Sequence, residues 1–214
     1  MRFRLLIAAS LAAVQIAAPV NAGLFGLPKF KVEHSDDRFS TDGLTTYSGY
    51  YNRVSKRSLA GGTHIDSSGV FVDPVVIRRK EGGVVVALRF FVHNEMTHDT
   101  SGVSDLLSLG RPLRITFLTG EGQPIALTIV GGARNWSDVT SYNSISNTAS
   151  TRVSESGFSE VSPAQYERIM SASQLLAKLE GDKRSMTYEV KDISKSFQAN
   201  LLTFWREYVQ GNPA

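Results

Sequence analysis

The sequence predicts a mainly β protein, an antiparallel, β-sandwich-like domain with one short helix and a packed C-terminal helix. Short runs of β-branched and aromatic residues recur between glycine-rich turns, at spacings typical of hairpins. No helical pattern separates these runs between residues 44 and 130, which disfavours a parallel α/β fold. Near the C-terminus the apolar residues change to the period of a helix.

Five runs in the first two thirds of the chain have strand composition. The run 84–92 is β-branched and aromatic and follows Gly82 and Gly83, so we expect a central strand that is covered on both faces. Pro74 indicates an edge position or a bulge, because proline has no N–H to donate to a central ladder. The other strand-like runs are 44–54, 70–79, and the hairpin pair 113–119 and 124–130.

The stretch 140–151 is polar, because nine of its twelve residues are Ser, Thr or Asn. Two interpretations stay open: a long loop, or an exposed polar strand, which the β-propensity of threonine favours. After it, Ser162, Pro163 and Gln165 have the order of a capping box and predict a short helix over 163–171.

The end of the chain predicts a second hairpin and then a helix. Runs 175–179 and 186–190 flank a Gly–Asp turn, although continuation of the short helix through Leu179 is an alternative. A helix over 193–210 is indicated by apolar residues at intervals of four, four, three and four, which lie on one stripe. Those residues are Ile193, Phe197, Leu201, Phe204 and Tyr208.

The first 22 residues are typical of a cleaved signal peptide. Arg2 and Arg4 precede an apolar run, and Val20 and Ala22 supply the small residues that signal peptidase accepts before Gly23. The apolar run is too short to span a bilayer, so we expect no transmembrane segment after cleavage. We therefore expect a periplasmic or secreted protein with an extended lead-in over 23–42 and a single β-rich domain over 43–210.

Composition excludes several classes of function. The chain has no cysteine, so it has no disulfide framework, no thiol nucleophile and no thiolate metal site. Cleavage after Ala22 would remove two arginines and lower the formal net charge from +3 to +1, which argues against a nucleic-acid partner. No pattern in the sequence indicates a cofactor.

The segment after residue 92 is the densest collection of possible metal ligands. If it forms a loop at the end of the central strand, His93, Glu95, His98 and Asp99 could converge on Zn²⁺. The spacing of the two histidines differs from that of zincins, in which both lie on one helical face. The alternative interpretation is an ordinary polar segment.

Two surface clusters are candidate binding residues. The first consists of aromatic residues and could meet a glycan or a peptide, whereas the second is basic and could meet anionic head groups. For both clusters the alternative is an ordinary core or solvated face. The residues are Tyr47, Tyr50, Tyr51, Arg78, Arg79 and Lys80.

These observations favour an exported bacterial envelope protein that acts as a non-enzymatic binding or structural module. We expect its partner to be an envelope protein, a glycan or a lipid component. One alternative is a metal-assisted periplasmic hydrolase that uses His93, Glu95 and His98. The other is an assembly or pilus-like subunit that uses strand addition.

Overall fold

The described residues form two antiparallel sheets and two helices. The structure is a computed structural model, and it describes residues 29–36, 43–55, 69–99, 108–120, 122–145 and 147–211. The fold is mainly β, as predicted. The strands are β1 Lys31–Asp36, β2 Leu44–Tyr50, β3 Gly69–Arg79, β4 Val85–Asp99, β5 Pro112–Leu118, β6 Ile125–Thr128, β7 Val130–Asn143, β8 Thr148–Glu160, β9 Leu176–Gly181 and β10 Ser185–Tyr188, and the helices are α1 Pro163–Ser171 and α2 Lys195–Phe204.

The larger sheet has six strands in the order β1-β2-β3-β4-β8-β7. Strands β4 and β8 pair along eleven residues, from Arg89 opposite Glu160 to Asp99 opposite Ser150. The smaller sheet has the order β10-β9-β5-β6, and both of its hairpins were predicted from the sequence. The alternative in which the short helix continues through Leu179 is wrong, because Leu176–Gly181 is a strand.

One hydrophobic cluster joins the two sheets and the two helices. Phe90 of the larger sheet lies 6.4 Å from Phe117 of the smaller sheet and 5.3 Å from Tyr166 of α1, measured between ring centroids. The hydroxyl of Tyr166 donates to the carbonyl of Leu201 in α2, at 3.1 Å. The helices therefore contribute to the same core as the sheets, which agrees with the predicted packing of the C-terminal helix.

Helix α1 begins where the sequence predicts, whereas α2 begins at Lys195, two residues after the predicted start at Ile193, which forms an isolated bridge with Ser55. Ser162 caps α1: its hydroxyl accepts from the Gln165 amide, while the Gln165 side chain accepts from the Ser162 amide. Helix α2 continues as a π-helix over Trp205–Gln210, so the helical segment ends at the expected residue. Its buried residues are Phe197, Leu201, Phe204 and Trp205.

Pro74 lies in an interior strand, so the edge alternative is wrong, whereas the bulge alternative agrees with an extra residue in the neighbouring chain between the pairs Ser48–Val75 and Arg53–Phe71. Strand β3 pairs with β4 on one side and with β2 on the other. The Val72 amide points toward the β2 side of β3, where it donates to the carbonyl of Asn52. Amides two residues apart in a strand point the same way, so Pro74 lacks an N–H on that same side. Beside Pro74 the ladder with β2 is interrupted, since the pairing stops at Ser48 and Tyr51 has a φ of 66°.

Strand β4 differs from the predicted central strand at both ends. It lies between β3 and β8, as expected, but Val84 and Val86 are 59% and 51% exposed. The expectation that both faces are covered is therefore wrong at the start of the strand. At the other end the strand continues to Asp99, so the segment predicted as a loop after residue 92 is paired with β8.

Two further expectations concern the polar segments of the chain. In the stretch 140–151, the strand interpretation is correct where the structure describes it, because β7 and β8 form a hairpin there. The described part of the lead-in, residues 29–36, contains the edge strand β1. The predicted signal peptide lies outside the described residues. No helix in the described part of the chain has the length and apolarity needed to cross a membrane.

Candidate functional site

Asp73, His93 and Glu95 form a buried polar cluster on the face of the larger sheet that points away from the smaller sheet. His93 and Glu95 lie two residues apart on β4, so they share a face. The register places Phe71 opposite His93 and Asp73 opposite Phe91, which makes Asp73 and His93 diagonal neighbours across the two strands. The pairing of β3 with β4 therefore brings Asp73 next to His93 and Glu95, the polar residues that follow the predicted strand.

Both ring nitrogens of His93 face carboxylates. Nε2 lies 2.9 Å from Oδ2 of Asp73, and Nδ1 lies 3.0 Å from Oε1 of Glu95. The second oxygen of Asp73 accepts the backbone amide of Asn52 at 2.6 Å. Because carboxylates only accept hydrogen bonds when ionised, both nitrogens of His93 donate when the ring is protonated.

The cluster favours the imidazolium form of His93. Burial by itself would lower the pKa of His93, but the hydrogen bonds to Asp73 and Glu95 and their charges outweigh it and raise the pKa to about 9. Burial raises the pKa of Glu95, yet its hydrogen bond to His93 and the charge of that ring produce a net lowering. His93 is therefore a cation at neutral pH, matched by two carboxylates.

Aromatic rings lie against His93 as well. Its ring stacks with Phe71, with 4.9 Å between centroids, and with Phe91, with 5.0 Å between centroids. Phe91 in turn contacts Phe158 of β8 at 4.9 Å. The imidazolium is thus surrounded by protein groups, and its nitrogens are already engaged. This arrangement stabilises a charge inside the sheet and suits a structural role.

The predicted metal site is only partly described. His93 and Glu95 lie together, but nothing is described of the His98 and Asp99 side chains. Within the described ranges, no group of three or more His, Asp or Glu residues is placed to hold a metal ion. A metal on His93, Glu95, His98 and Asp99 stays a prediction, and it would require His93 to exchange a carboxylate partner for the ion.

Glu155 is the centre of a second buried polar cluster, on the opposite face of the sheet. It lies in β8 between Asn94 of β4 and Arg134 of β7. Its carboxylate accepts hydrogen bonds from the Asn94 amide at 3.1 Å, the Ser108 hydroxyl at 2.6 Å, and the backbone amides of Leu109 and Gly110 at 2.8 and 3.0 Å. Glu155 therefore attaches the segment before β5 to the larger sheet.

Arg134 connects this buried cluster to the protein surface. Its Nε lies 3.6 Å from Oε1 of Glu155, and its guanidinium lies 4.6 Å from the ring centroid of Trp136. Trp136 is 52% exposed. Its ring nevertheless contacts the guanidinium of Arg134, which lies beside the fully buried carboxylate of Glu155. Such a side chain loses little conformational freedom on binding a partner.

The predicted surface residues do not form one patch. The ring of Tyr47 packs against Tyr208 at 5.2 Å, whereas Lys31 lies over the ring of Tyr50. Tyr51 occupies the interruption of the β2 ladder, where its φ is positive. The three tyrosines therefore contribute to different parts of the structure, and their role as binding residues stays a prediction.

The basic cluster is also divided between roles. Arg78 is buried, and its Nη1 donates to the carbonyls of Tyr208 and Gly211, at 2.6 Å each, so it caps the end of the C-terminal helix. Lys80 lies 2.9 Å from Asp36 of β1, while Arg79 is exposed. Binding of anionic head groups by Arg78 would require it to leave the helix end, whereas Arg79 is accessible.

The sequence interpretation missed the exposed apolar side chains of β7 and its hairpin. Val130, Trp136 and Tyr142 are 58%, 52% and 62% exposed, and Ile145 at the hairpin tip is almost fully exposed. The surrounding serines and threonines obscured this pattern, and the signal that could have revealed it was the presence of large apolar residues in a polar stretch. Trp and Tyr are enriched in protein interfaces.

Comparison of the chain with protein-family models, with curated proteins and with solved structures finds no match.

Proposed function

We propose that this chain is an exported, non-enzymatic binding module of the bacterial envelope, and that the hairpin of β7 and β8 is its binding surface. The observation that carries the proposal is the exposed ring of Trp136. This ring contacts Arg134, and Arg134 in turn lies beside the buried carboxylate of Glu155. Trp, Tyr and Arg are the residue types that dominate binding energy at protein interfaces. The hairpin presents all three.

The two buried polar clusters support a binding role over catalysis. His93 uses both nitrogens within the protein, and Glu155 is surrounded by donors from three strands or segments. A catalytic acid or base needs a position from which it can reach a substrate proton. Neither cluster offers such a position in this arrangement of the described residues.

Export is the second component of the proposal, and the signal-like residues 1–22 support it. The test is N-terminal sequencing of the protein recovered from the periplasm or the medium of an expressing bacterium. We expect the sequence to begin at Gly23. Recovery of the protein only from the cytoplasm, with residues 1–22 retained, would contradict export.

The binding surface can be tested with a matched pair of double variants. Trp136→Ser with Tyr142→Ser alters the hairpin, whereas Val84→Ser with Val86→Ser alters similarly exposed apolar residues elsewhere on the protein. Each immobilised protein is exposed to a solubilised envelope fraction, and the retained components are compared. We expect the hairpin variant to lose a specific component that the valine variant retains, with both melting cooperatively. Equal retention by the two variants would argue against this surface.

An assembly subunit that uses strand addition is a second candidate, and the long edge strand β7 favours it. A free sheet edge presents backbone N–H and C=O groups that an incoming strand can pair with. In this candidate the partner is a polypeptide rather than a glycan or a lipid. Protease treatment of the envelope fraction before the retention experiment tests this candidate, because a polypeptide partner would be lost, and continued retention of the component would contradict strand addition.

The metal-assisted hydrolase hypothesis differs from both in its metal content. If His93, Glu95, His98 and Asp99 bind zinc, the purified protein should contain about one equivalent, and His98→Ala should abolish it. The binding proposal expects less than about a tenth of an equivalent and a melting temperature that a chelator does not change. Elemental analysis of the purified protein decides between them.

A further inference from the structure

The tip of the hairpin of β7 and β8 extends beyond the strand that pairs with the other side of β8. Strand β4 pairs with β8 only as far as Ser150. The last two pairs of the hairpin are Tyr142–Ala149 and Asn143–Thr148, and among the described strands these positions pair only with each other. The tip therefore projects from this end of the larger sheet.

The tip carries an aliphatic side chain at its extremity and a tyrosine behind it. Ile145 is 96% exposed, and Tyr142 is 62% exposed. The hydroxyl of Tyr142 donates to the side-chain oxygen of Asn147 across the turn. Asn147 has a φ of 53°, a left-handed conformation that asparagine tolerates. The tip is thus held by contacts of its own, which lowers the entropic cost of binding a partner.

Charge is absent from the sequence of the tip. Residues 139–151 contain no Asp, Glu, Lys, Arg or His, and the flanking charged residues are Asp138 and Arg152. Along an extended strand, Asp138 lies about 13 Å behind Tyr142. The order from the extremity backwards is therefore aliphatic, aromatic and then charged. A bilayer surface has the same order, with hydrocarbon deepest, tyrosine at head-group level and charges in water.

We propose that the hairpin tip is a shallow membrane anchor, in which Ile145 inserts below the lipid head groups and Tyr142 lies at head-group level. The inference rests on the proposed function of the hairpin as a binding surface in the envelope and names its partner as a lipid bilayer. Trp136 lies about 20 Å behind Tyr142 along the strand, so it stays outside the hydrocarbon. Burial of one aliphatic side chain gives weak and reversible binding.

The absence of charge distinguishes this mode from binding through the basic residues. Attraction of Arg79 to anionic head groups would require anionic lipid and would be screened by salt. Insertion of an uncharged tip buries apolar surface instead, and it desolvates no charge. We therefore expect binding that is nearly the same for neutral and anionic bilayers and that salt hardly changes.

The first experiment measures vesicle binding by flotation. The chain that begins at Gly23 is used, because the apolar residues 5–18 would themselves bind lipid. Vesicles consist of phosphatidylcholine, alone or mixed with phosphatidylglycerol, in large excess over the protein. We expect Ile145→Ser to lower the partition coefficient at least about tenfold. The matched control Val84→Ser, at an exposed valine elsewhere, should leave it nearly unchanged.

Three results of this experiment would overturn the proposal. The first is a wild-type chain that does not bind either kind of vesicle. The second is equal binding by the wild-type chain and Ile145→Ser, which would place the lipid contact elsewhere. The third is binding only to vesicles that contain phosphatidylglycerol, which would assign the contact to basic residues.

The second experiment uses the absence of cysteine from the chain. Ile145→Cys and Val84→Cys each provide a single thiol for an environment-sensitive fluorophore. On addition of phosphatidylcholine vesicles we expect a blue shift at position 145 and quenching by lipids that carry a nitroxide on the acyl chain, with neither change at position 84. Equal changes at both positions would contradict insertion by the tip. A blue shift at position 145 that needs only a higher protein concentration, without lipid, would assign the tip to a second copy and overturn the proposal.

Failure of the membrane anchor can be distinguished from failure of the proposed function. If the protein does not bind vesicles, yet Trp136→Ser with Tyr142→Ser loses a solubilised envelope component, the hairpin binds a partner other than a bilayer, and only the anchor is overturned. Vesicle binding that depends on Ile145, with equal retention of solubilised components by the two double variants, supports the anchor and restricts the partner of the hairpin to lipid. Circular dichroism melts of every variant confirm that each comparison is between folded proteins.

Discussion

At the scale of single residues, His93 is a buried cation whose contribution to stability depends on pH. Its pKa in the folded protein is about 9, against 6.5 for a free side chain. A raised pKa means that the contribution is fully present below about pH 6.5 and is lost as the pH rises through about 9. Glu95 acts in the opposite sense, because its lowered pKa gives stability that is lost as the pH falls through the acidic range.

We therefore predict that the free energy of unfolding falls between about pH 6.5 and pH 9, by at most about 3 kcal/mol. Urea denaturation at several pH values measures it. In His93→Gln this decline should largely disappear, because the glutamine has no proton to lose, although the variant is less stable at pH 6. An identical pH profile for the two proteins would contradict the prediction.

Glu155 provides a second prediction at this scale. Glu155→Gln removes the charge that Arg134 and two backbone amides face, and we expect a loss of about 3 kcal/mol, because breaking a buried pair leaves polar groups poorly matched. Glu160→Gln is the control in the same strand. Its partner Arg89 is exposed, so the loss should be below about 1 kcal/mol. Chemical denaturation measures both, and equal losses would refute the assignment.

Residue chemistry also explains which part of the buried cluster the sequence could predict. His93 and Glu95 were found because they are close in sequence and both can bind a proton or a metal. Asp73 was not found, because it lies twenty residues earlier and only the register of β3 with β4 brings it to His93. Glu155 was hidden in the same way, since its partners come from three other segments of the chain.

At the scale of elements, strand β4 combines an exposed start with a buried middle. Leu88 is 6% exposed, whereas Val86 is half exposed. We predict that Leu88→Asp destabilises the protein by more than about 4 kcal/mol, because it buries an unpaired carboxylate in the core. Val86→Asp, two residues away in the same strand, should cost only about 1 kcal/mol, which reflects the lower β-propensity of aspartate.

Thermal melts of the two variants test this difference. A soluble, cooperatively folded Leu88→Asp protein with a nearly unchanged melting temperature would show that the middle of β4 is not buried. The sequence could not distinguish the two positions, because both belong to one continuous apolar run. The structure distinguishes Val86 from Leu88, because the sheet ends near Val84 and Val86 and leaves both of these side chains exposed.

The elements that were predicted best are those with local signals. The capping box fixed the start of α1, and the apolar stripe identified the C-terminal helix. The end of β4 was predicted poorly, because the polar residues after Val92 resemble a loop unless their partners are known. The pairing of β4 with β8 and with Asp73 of β3 makes those polar residues part of the sheet.

At the scale of the whole molecule, the C-terminal helix completes the core. Phe197, Leu201 and Phe204 are fully buried, and each contributes about 1.5–3 kcal/mol relative to exposure. Total stability of a domain is about 5–15 kcal/mol, so we predict that a chain truncated after Ile193 does not fold. Expression and circular dichroism measure this outcome, and a truncated protein with an unchanged melting temperature would contradict it.

A point variant covers the case in which the truncated chain cannot be purified. Leu201→Ala should lower the free energy of unfolding by about 3 kcal/mol, because it leaves a cavity beneath the helix. A loss below about 1 kcal/mol would show that the helix contributes little to the core.

The contacts of Arg78 have a consequence for the order in which the protein folds. Arg78 binds carbonyl groups 130 and 133 residues later in the chain, and Asn52 is joined to Asn200 across 148 residues. Contacts between such distant parts of a sequence slow folding, because a large loop must close before they form. The core therefore cannot be completed until residues 197–211 have been synthesised. Until then the growing chain stays incompletely folded and leaves part of its apolar surface exposed.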